Sequence, residues 1–285
     1  SYSVTGVQTC ALPIFEPEKI DSLGVYGDIP PLTRELVQNH QKELISEKAD
    51  THFKKLFKGS SSGTSGIPIR FVHDPEGESA GKAALYSHWA QFGWGFHLKG
   101  LHIWGNTETI KKWDSLSSKI SRKMLNRVYA DASLINHPEG IKQIVNLLKE
   151  YKPGYVECYS MSLYTLSKYL NDNNISIPKC PFVFTSAENL GQMQRESIEK
   201  HIGKVIDFYG CSEINGIACQ KPDDEKYYLF GHHVFCETEP TGTKDFNDLI
   251  ITDLDNKVMP LIRYKPGDLI DGIFTLEEPG LYPFQ

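Results

Sequence analysis

The sequence lacks three features that define whole classes of protein. It has no run of about 20 continuous apolar residues, the length that a membrane-spanning helix needs, and no basic tail or stripe. Lysine and arginine total 30 against 36 aspartate and glutamate residues, a formal charge of −6, which gives no reason to expect nucleic acid as a partner. The six cysteines are scattered over 285 residues, which argues against a disulfide framework and favours a reducing cytoplasm.

What the sequence does contain is enough apolar material for a large core. With 40% hydrophobic and 11% aromatic residues, its 285 residues lie between one large domain and two ordinary ones. The stretch VTGVQTCALPI, residues 4–14, resembles the translation of a widely used sequencing adapter. We therefore set residues 1–14 aside as an artefact. Because the other end stops on an aromatic, strand-like run, we expect a fragment cut at both ends.

Helical and extended segments alternate through the middle of the chain. NHPEGIKQIVNLLKEYKPG predicts a helix, because Ile141, Ile144, Val145 and Leu148 recur at helical spacing. A second helix follows over MSLYTLSKYLNDN, then a buried strand in CPFVFTSAEN, a helix ending in a left-handed cap at Gly203, and a strand in KVIDFYG. This order predicts a mostly parallel sheet covered by helices, with ligand sites after the carboxyl ends of its strands.

The last third of the sequence changes character. Short segments rich in β-branched and aromatic residues, separated by turn residues, predict an antiparallel sheet or small barrel appended to the α/β part. We therefore expect an α/β core over residues 15–245, truncated at its N-terminus. The start of the β-sheet or barrel portion then covers residues 246–285.

The segment KGSSSGTSGIPIRF, residues 58–71, combines hydroxyl side chains with glycines. It is not the familiar nucleotide-binding loop, because that motif ends in Gly-Lys-Ser/Thr, whereas Gly66 is followed by Ile67 and Pro68. Glycines leave backbone N–H groups uncovered, and hydroxyls add rotatable donors, so the loop could wrap a polyphosphate. Taken alone, a Ser/Gly-rich run is more often a flexible surface loop.

Three further motifs follow that loop in a particular order: SAEN (186–189), DFYGCSE (207–213) and TDLDNKVMPLIRYKPGDL (252–269). With these motifs the chain resembles the adenylate-forming ligases over roughly residues 16–285, and within them the phenylacetate-CoA ligase and CapK-like capsule-biosynthesis branch. The resemblance implies the large N-terminal domain of that fold. It also implies a smaller C-terminal lid domain, which would lie beyond the end of this chain.

The resemblance assigns phosphate and metal contacts to individual residues. Glu213 would bind Mg²⁺, a hard cation that prefers carboxylates and phosphate oxygens, and Ser212 would touch the α-phosphate of ATP. Thr64 would lie near the metal, so Thr64 and Glu213 are the expected catalytic residues. The phosphate loop, which would enclose the β- and γ-phosphates, consists of Ser61, Ser62, Gly63, Thr64, Ser65 and Gly66.

Adenosine contacts are implied in the same way. Tyr209 would stack on adenine, with Gly210 beside it in the motif, and Asp268 would accept both ribose hydroxyls with its two oxygens. The segment lining the adenine and acyl pocket would comprise Ser186, Ala187 and Glu188.

The implied reaction is an ATP-dependent ligation. A small carboxylic acid attacks the α-phosphorus of ATP, giving an acyl adenylate and pyrophosphate, and a thiol, normally coenzyme A, then displaces AMP. No covalent nucleophile is needed, so Cys211 is interpreted as a small buried filler. Without the lid we expect little turnover from this chain. The parent protein could form a homodimer. The alternative function is a non-catalytic or adenylating accessory role in surface-polysaccharide biosynthesis.

Three sets of residues have more than one interpretation. Cys219, His232, His233 and Cys236 carry zinc-ligand chemistry without a Cys-x-x-Cys pair, and Cys219 with His232 is the favoured zinc pair. Arg263 either orients Asp268 or pairs with an acidic neighbour in the sheet. The aromatic residues that line the acyl pocket or simply fill the core are Tyr155, Tyr159 and Phe184.

Overall fold

The computed structural model describes residues 26–61, 68–105, 120, 122–242, 245–271 and 283–284. The chain divides into two compact units, and it passes between them more than once. Unit 1 comprises residues 1–85, 210–219 and 226–285, and unit 2 comprises residues 86–209 and 220–225. Among the described residues, no helix is long and apolar enough to cross a bilayer.

Short strands alternate with helices along the described chain. The strands are β1 (Leu32–Thr33), β2 (Phe57–Ser60), β3 (Arg70–His73), β4 (Gly100–Ile103), β5 (Arg127–Ala130), β6 (Tyr155–Tyr159), β7 (Cys180–Ser186), β8 (Gly203–Tyr209), β9 (Ala218–Lys221), β10 (Asp224–Leu229), β11 (Val234–Pro240), β12 (Asn247–Asp253), β13 (Tyr264–Lys265), β14 (Leu269–Ile270) and β15 (Pro283–Phe284). The α-helices are α1 (Arg34–Asn39), α2 (Ala49–His52), α3 (Pro75–Ala90), α4 (Pro138–Tyr151), α5 (Ser160–Asp172) and α6 (Gln192–His201).

Unit 2 is built on a parallel sheet with the strand order β8-β7-β6-β4-β5. This confirms the predicted parallel sheet. Helix α4 follows the predicted apolar stripe and ends where Lys152 adopts a left-handed conformation with φ of 47°. Its buried face packs into the apolar core of the sheet through Ile141, Ile144, Val145 and Leu148. The helices cover strands that are themselves apolar, as expected of a parallel sheet.

Helix α6 ends differently from the prediction. Its last residue is His201, and Gly203 begins strand β8 instead of capping the helix in a left-handed conformation. The reason for a glycine is steric, since a Cβ atom at position 203 would lie only 2.0 Å from the carbonyl oxygen of Cys180 on β7. The glycine therefore permits close approach between two strands.

Unit 1 contains the predicted antiparallel strands. Strands β11 and β12 pair antiparallel over their full length, and β13 and β14 both add to β12. Strand β1 pairs with β13 in parallel. A strand of two residues is too short to be predicted from the sequence. A separate antiparallel hairpin, β2 with β3, carries the phosphate loop between its strands.

Candidate functional site

The predicted metal ligand lies in a tight loop of unit 1, residues 210–216, which we call the Glu213 loop. Within it, the backbone N–H of Cys211 donates to the carbonyl of Ile214 over 3.1 Å, and Gly216 has a φ of +65°. The side chain of Glu213 is only 1% exposed, whereas its neighbour Ser212 is exposed. The loop therefore turns one carboxylate inward and one hydroxyl outward.

Glu213 is a buried carboxylate with a cation beside it. The Arg34 Nη1 atom lies 3.7 Å from Glu213 Oε1, and the Tyr264 hydroxyl donates to the same oxygen over a long 3.5 Å. Burial and the nearby Glu213 charge raise the pKa of Tyr264, so this phenol keeps its proton and acts as a donor. An ionised carboxylate offers about four lone-pair sites, so Glu213 retains capacity for a further ligand.

Arg34 also reaches the phosphate loop. Its Nη2 donates to Ser61 Oγ over 3.2 Å, and the same Oγ accepts the backbone N–H of Ile69 over 2.9 Å. Because the Ser61 N–H donates back to the Ile69 carbonyl over 2.8 Å, this pair closes the neck of the loop. Arg34 therefore connects the loop neck with the buried carboxylate. Sequence reasoning missed it, because one arginine at the start of a short helix carries no motif.

The rest of the phosphate loop lies outside the described residues. Ser62, Gly63, Thr64, Ser65 and Gly66 therefore remain predictions, and only Ser61 is placed.

Asp268 is exposed between β13 and β14 in unit 1. Burial is the main cause that raises the pKa of the Cys211 thiol, and the negative charges of Glu213 and Asp268 raise it further. The charge of Asp268 also raises the pKa of Tyr264. Its carboxylate therefore acts on the same group of residues as Glu213. Its ribose contact remains a prediction.

Arg263 is a structural residue. Its Nε and Nη2 atoms each lie 3.2 Å from a carboxylate oxygen of Glu237 on β11. Its Nη1 donates to the carbonyls of Gly27 and Ile29. Of the two alternatives from the sequence, the structure shows pairing with an acidic neighbour.

In unit 2 the predicted pocket residues lie where parallel strands end. Ser186 is the buried last residue of β7, Tyr209 is the half-buried last residue of β8, and Ala187 has a φ of +73°. A non-glycine residue in that region costs about 1 to 3 kcal/mol, and such strain concentrates at functional sites. Glu188 has a helix-capping contact, because its Oε2 accepts the Met161 N–H over 2.8 Å at the start of α5.

The three aromatic candidates divide between core and half-buried positions. Tyr155 and Phe184 are 1% and 0% exposed, and Phe184 stacks on Trp89 with a ring separation of 3.7 Å. Tyr159 is half-buried and stacks on Trp104 at 4.2 Å. Tyr155 and Phe184 are therefore core residues of unit 2.

One group of potential metal ligands comes together in the described part of the chain. His233, Asp253 and Asp255 bring one ligand atom each within 4.8 Å of one another. Both ring nitrogens of His233 are already engaged, Nδ1 with Asp255 Oδ2 at 2.6 Å and Nε2 with the carbonyl of Asn215 at 2.9 Å. The predicted zinc pair, Cys219 and His232, does not belong to this group of described residues. Cys219 is buried, whereas His232 is exposed. The cysteines that the structure describes are all free: Cys158, Cys180, Cys211, Cys219 and Cys236.

Comparison of the sequence with known proteins finds a distant curated relative. No family model matches the chain. Protein CapK of Staphylococcus aureus is 23% identical over 252 residues, which is 86% of this chain and 54% of CapK. The chain thus spans about half the length of that curated relative.

Solved structures match over most of the chain. A 2-hydroxyisobutyryl-CoA ligase, in complex with 2-HIB-AMP and CoA, superposes with a TM-score of 0.66 at 16% identity, covering 95% of this chain and 66% of the ligase. The amide bond synthetase McbA of Marinactinospora thermotolerans gives a TM-score of 0.54 at 15% identity, with 80% of this chain and 47% of McbA covered. The chain has the fold of the large N-terminal portion of the adenylate-forming ligases.

Proposed function

We propose that the chain is the nucleotide-binding portion of an ATP-dependent carboxylate-CoA ligase-like protein, which forms an acyl adenylate and then a thioester. The observation that carries this proposal is the arrangement around Glu213. A buried carboxylate lies beside Arg34, which in turn hydrogen-bonds Ser61 at the neck of a Ser/Gly-rich loop. Metal and phosphate chemistry would need these groups in this proximity. The ligase with the same fold carries an acyl-AMP and CoA.

The residues present fit a magnesium ion. Glu213 supplies one hard oxygen ligand, and Mg²⁺ typically takes one or two carboxylates together with phosphate oxygens. When bound, the ion would neutralise charge on the triphosphate. Thr64 is the second proposed contributor, and it lies outside the described residues.

The protein's own polar and charged groups would reduce the repulsion between two anionic substrates. The substrate carboxylate and ATP are both anions, so their approach requires positive charge and fixed donors. Arg34 places a guanidinium at the loop neck, where it can offset charge on the departing pyrophosphate. Ser212 is exposed on the Glu213 loop and would donate to the α-phosphate. Tyr209 and Asp268 would hold the adenosine.

Cysteine chemistry plays no part in this proposal. Burial, assisted by the Glu213 charge, raises the pKa of the Cys211 thiol well above its ordinary value. A thiol of that kind is rarely ionised near neutral pH and is a poor nucleophile. The acyl group would therefore pass from the adenylate directly to the external thiol.

The test is ATP–pyrophosphate exchange by the protein across a panel of carboxylic acids that includes phenylacetate and 2-hydroxyisobutyrate. We expect exchange with at least one acid, and loss of that exchange in Glu213→Gln. The matched control is Glu239→Gln, which alters an exposed carboxylate paired with Lys265. Absence of exchange with every acid, together with unchanged ATP binding in Glu213→Gln, would overturn the proposal.

A second candidate is a non-catalytic or adenylating accessory protein of surface-polysaccharide biosynthesis. The likeness to CapK favours it. The exchange assay separates the non-catalytic role from the other two. Saturable ATP binding with no exchange for any acid would favour the non-catalytic role. Exchange without formation of a CoA thioester would favour an adenylating accessory protein, and exchange with thioester formation would favour the ligase.

A further inference from the structure

We propose that His73 and His233 are positioning residues that fix the Glu213 loop by donating hydrogen bonds to two of its backbone carbonyls. The inference rests on the proposed function, because it concerns how the metal carboxylate is held. It adds two residues from distant parts of the chain to the site.

His73 holds the carbonyl of Glu213 itself. Its Nε2 lies 2.9 Å from the Glu213 carbonyl oxygen, and its Nδ1 lies 3.2 Å from Glu78 Oε2 on helix α3. A carbonyl oxygen and an ionised carboxylate oxygen can only accept, so both nitrogens of this ring donate, Nε2 to the carbonyl and Nδ1 to Glu78. The ring is 2% exposed, so water does not compete for these bonds.

His233 repeats the arrangement from another segment. Its Nε2 lies 2.9 Å from the Asn215 carbonyl oxygen, and its Nδ1 lies 2.6 Å from Asp255 Oδ2. Its ring is also 2% exposed. Two buried imidazoles, each held by a carboxylate, therefore donate to carbonyls two positions apart on the Glu213 loop. Such a carboxylate–histidine pair is the usual device for fixing a donor's direction.

Within the loop, contacts of its own residues centre on one carbonyl. The Ile214 carbonyl accepts the backbone N–H of Cys211 over 3.1 Å and the Cys211 thiol over a long 3.8 Å. On another side, helix α3 packs closely, since a Cβ at Gly81 would lie 1.9 Å from the Asn215 carbonyl oxygen. The two histidine bonds supply the directional part of this support. They therefore decide where the Glu213 backbone lies, and with it where the carboxylate meets Arg34.

Asp253 shapes the turn that holds the ring of His233. Its Oδ1 accepts the backbone N–H groups of Asp255 at 2.9 Å and Asn256 at 3.3 Å, which shapes the turn that carries Asp255. A carboxylate oxygen of Asp253 also lies within 4.8 Å of a ring nitrogen of His233. The turn after β12 thus supports the ring of His233 through both aspartates.

The experiment compares apolar and amide variants of each histidine in the full chain. His73→Leu and His233→Leu remove the donor, whereas His73→Gln and His233→Gln keep an N–H that can reach the carbonyl. His137→Leu is the control, because this exposed histidine makes no side-chain capping hydrogen bond and is assigned to no site. The readouts are amide hydrogen exchange of a peptide covering residues 210–217 and calorimetric titration with MgATP.

We expect both leucine variants to exchange the loop amides about fivefold to tenfold faster, the loss of a typical buried hydrogen bond. Affinity for MgATP should fall roughly 10- to 100-fold, the usual effect of removing a residue that orients a metal ligand. The glutamine variants should recover much of both, and His137→Leu should match the wild type.

Unchanged exchange of the loop in correctly folded leucine variants would overturn the inference, as would faster exchange with wild-type MgATP affinity. Failure of the glutamine variants to recover either property would also contradict it. If the wild type binds no MgATP, the proposed function fails while the exchange data still test the hydrogen bonds. If a leucine variant does not fold, the corresponding asparagine variant takes its place with the same expectations, because its shorter amide cannot reach the carbonyl that Nε2 contacts.

Discussion

Arg34 connects the neck of the phosphate loop with the buried carboxylate of Glu213. Its guanidinium donates a hydrogen bond to Ser61 and forms an ion pair with Glu213 at 3.7 Å, so one cation contacts two groups that are distant in sequence. Its Nε is buried and has no acceptor among the described residues. A buried donor without a partner is costly, which is consistent with a ligand that completes the set.

Replacing Arg34 should therefore weaken nucleotide binding. We expect Arg34→Gln to lower MgATP affinity about tenfold or more, since a hydrogen bond to a charged group contributes roughly 1.5 to 3 kcal/mol. Arg34→Lys should recover only part of the loss, because an ammonium lacks the planar fork that spans two acceptors. Calorimetric titration measures both. Arg70→Gln, at an exposed position on β3, is the control, and equal affinities for all the variants would contradict the role of Arg34.

Glu78 makes a pH-dependent contribution to stability. Burial alone would raise the pKa of this carboxyl, but hydrogen bonds from His73 and Lys82 lower it to about 2. A carboxyl whose pKa is depressed in the folded protein stabilises it above the ordinary pKa of about 4.3, and the contribution is lost as pH falls toward the folded value.

The difference in unfolding free energy between the wild type and Glu78→Gln should thus be largest above about pH 5 and decrease progressively toward pH 2. Urea unfolding at several pH values measures it. Glu76→Gln, two residues earlier and exposed beside Lys257, should show a smaller difference. A constant difference for Glu78→Gln across this range would be inconsistent with the ion pairs at that residue.

At the scale of elements, the parallel sheet of unit 2 depends on close contact between β7 and β8. Gly203 lies where a side chain would meet the Cys180 carbonyl at 2.0 Å. We expect Gly203→Ala to destabilise the protein by about 1 to 3 kcal/mol, the usual cost of overpacking. Gly191→Ala is the control, because a Cβ there meets only the flexible side chain of Gln194, at 3.1 Å. Equal midpoints in thermal unfolding would contradict the steric account.

The elements that the sequence predicted are those with a repeating pattern. Helix α4 and strand β7 follow periodic or continuous apolar residues, which depend only on neighbours in sequence. Strand β1 has two residues and exists because it pairs with β13 across the chain. Such pairing leaves no local signal, so it was not predictable from one sequence.

The candidate site was predictable only where a motif marked it. Glu213 was found through its motif, whereas Arg34 and His73 act through contacts with distant residues and carry no pattern. Asn256 belongs to a motif but has a structural role, because its Nδ2 donates to the carbonyls of Val72 at 3.0 Å and Met259 at 3.1 Å. A motif therefore marks residues that hold the backbone as well as those proposed to contact ligand.

At the scale of the whole molecule, the described groups proposed to contact metal and phosphate all belong to unit 1. Arg34, Ser61, Ser212 and Glu213 lie in it, together with both positioning histidines. The chain covers 54% of CapK and 66% of the 2-hydroxyisobutyryl-CoA ligase, so the complete ligase reaction is a proposal for this chain. Binding of a nucleoside triphosphate is the part of that proposal that can be measured on this chain directly.

The most direct measurement is a calorimetric titration of the chain with MgATP, comparing the wild type with Glu213→Gln and Glu239→Gln. We expect weak but saturable binding by the wild type, the same binding by Glu239→Gln, and its loss in Glu213→Gln. Equal MgATP affinity for the wild type and Glu213→Gln would contradict the assignment of Glu213 as the carboxylate that binds metal and nucleotide.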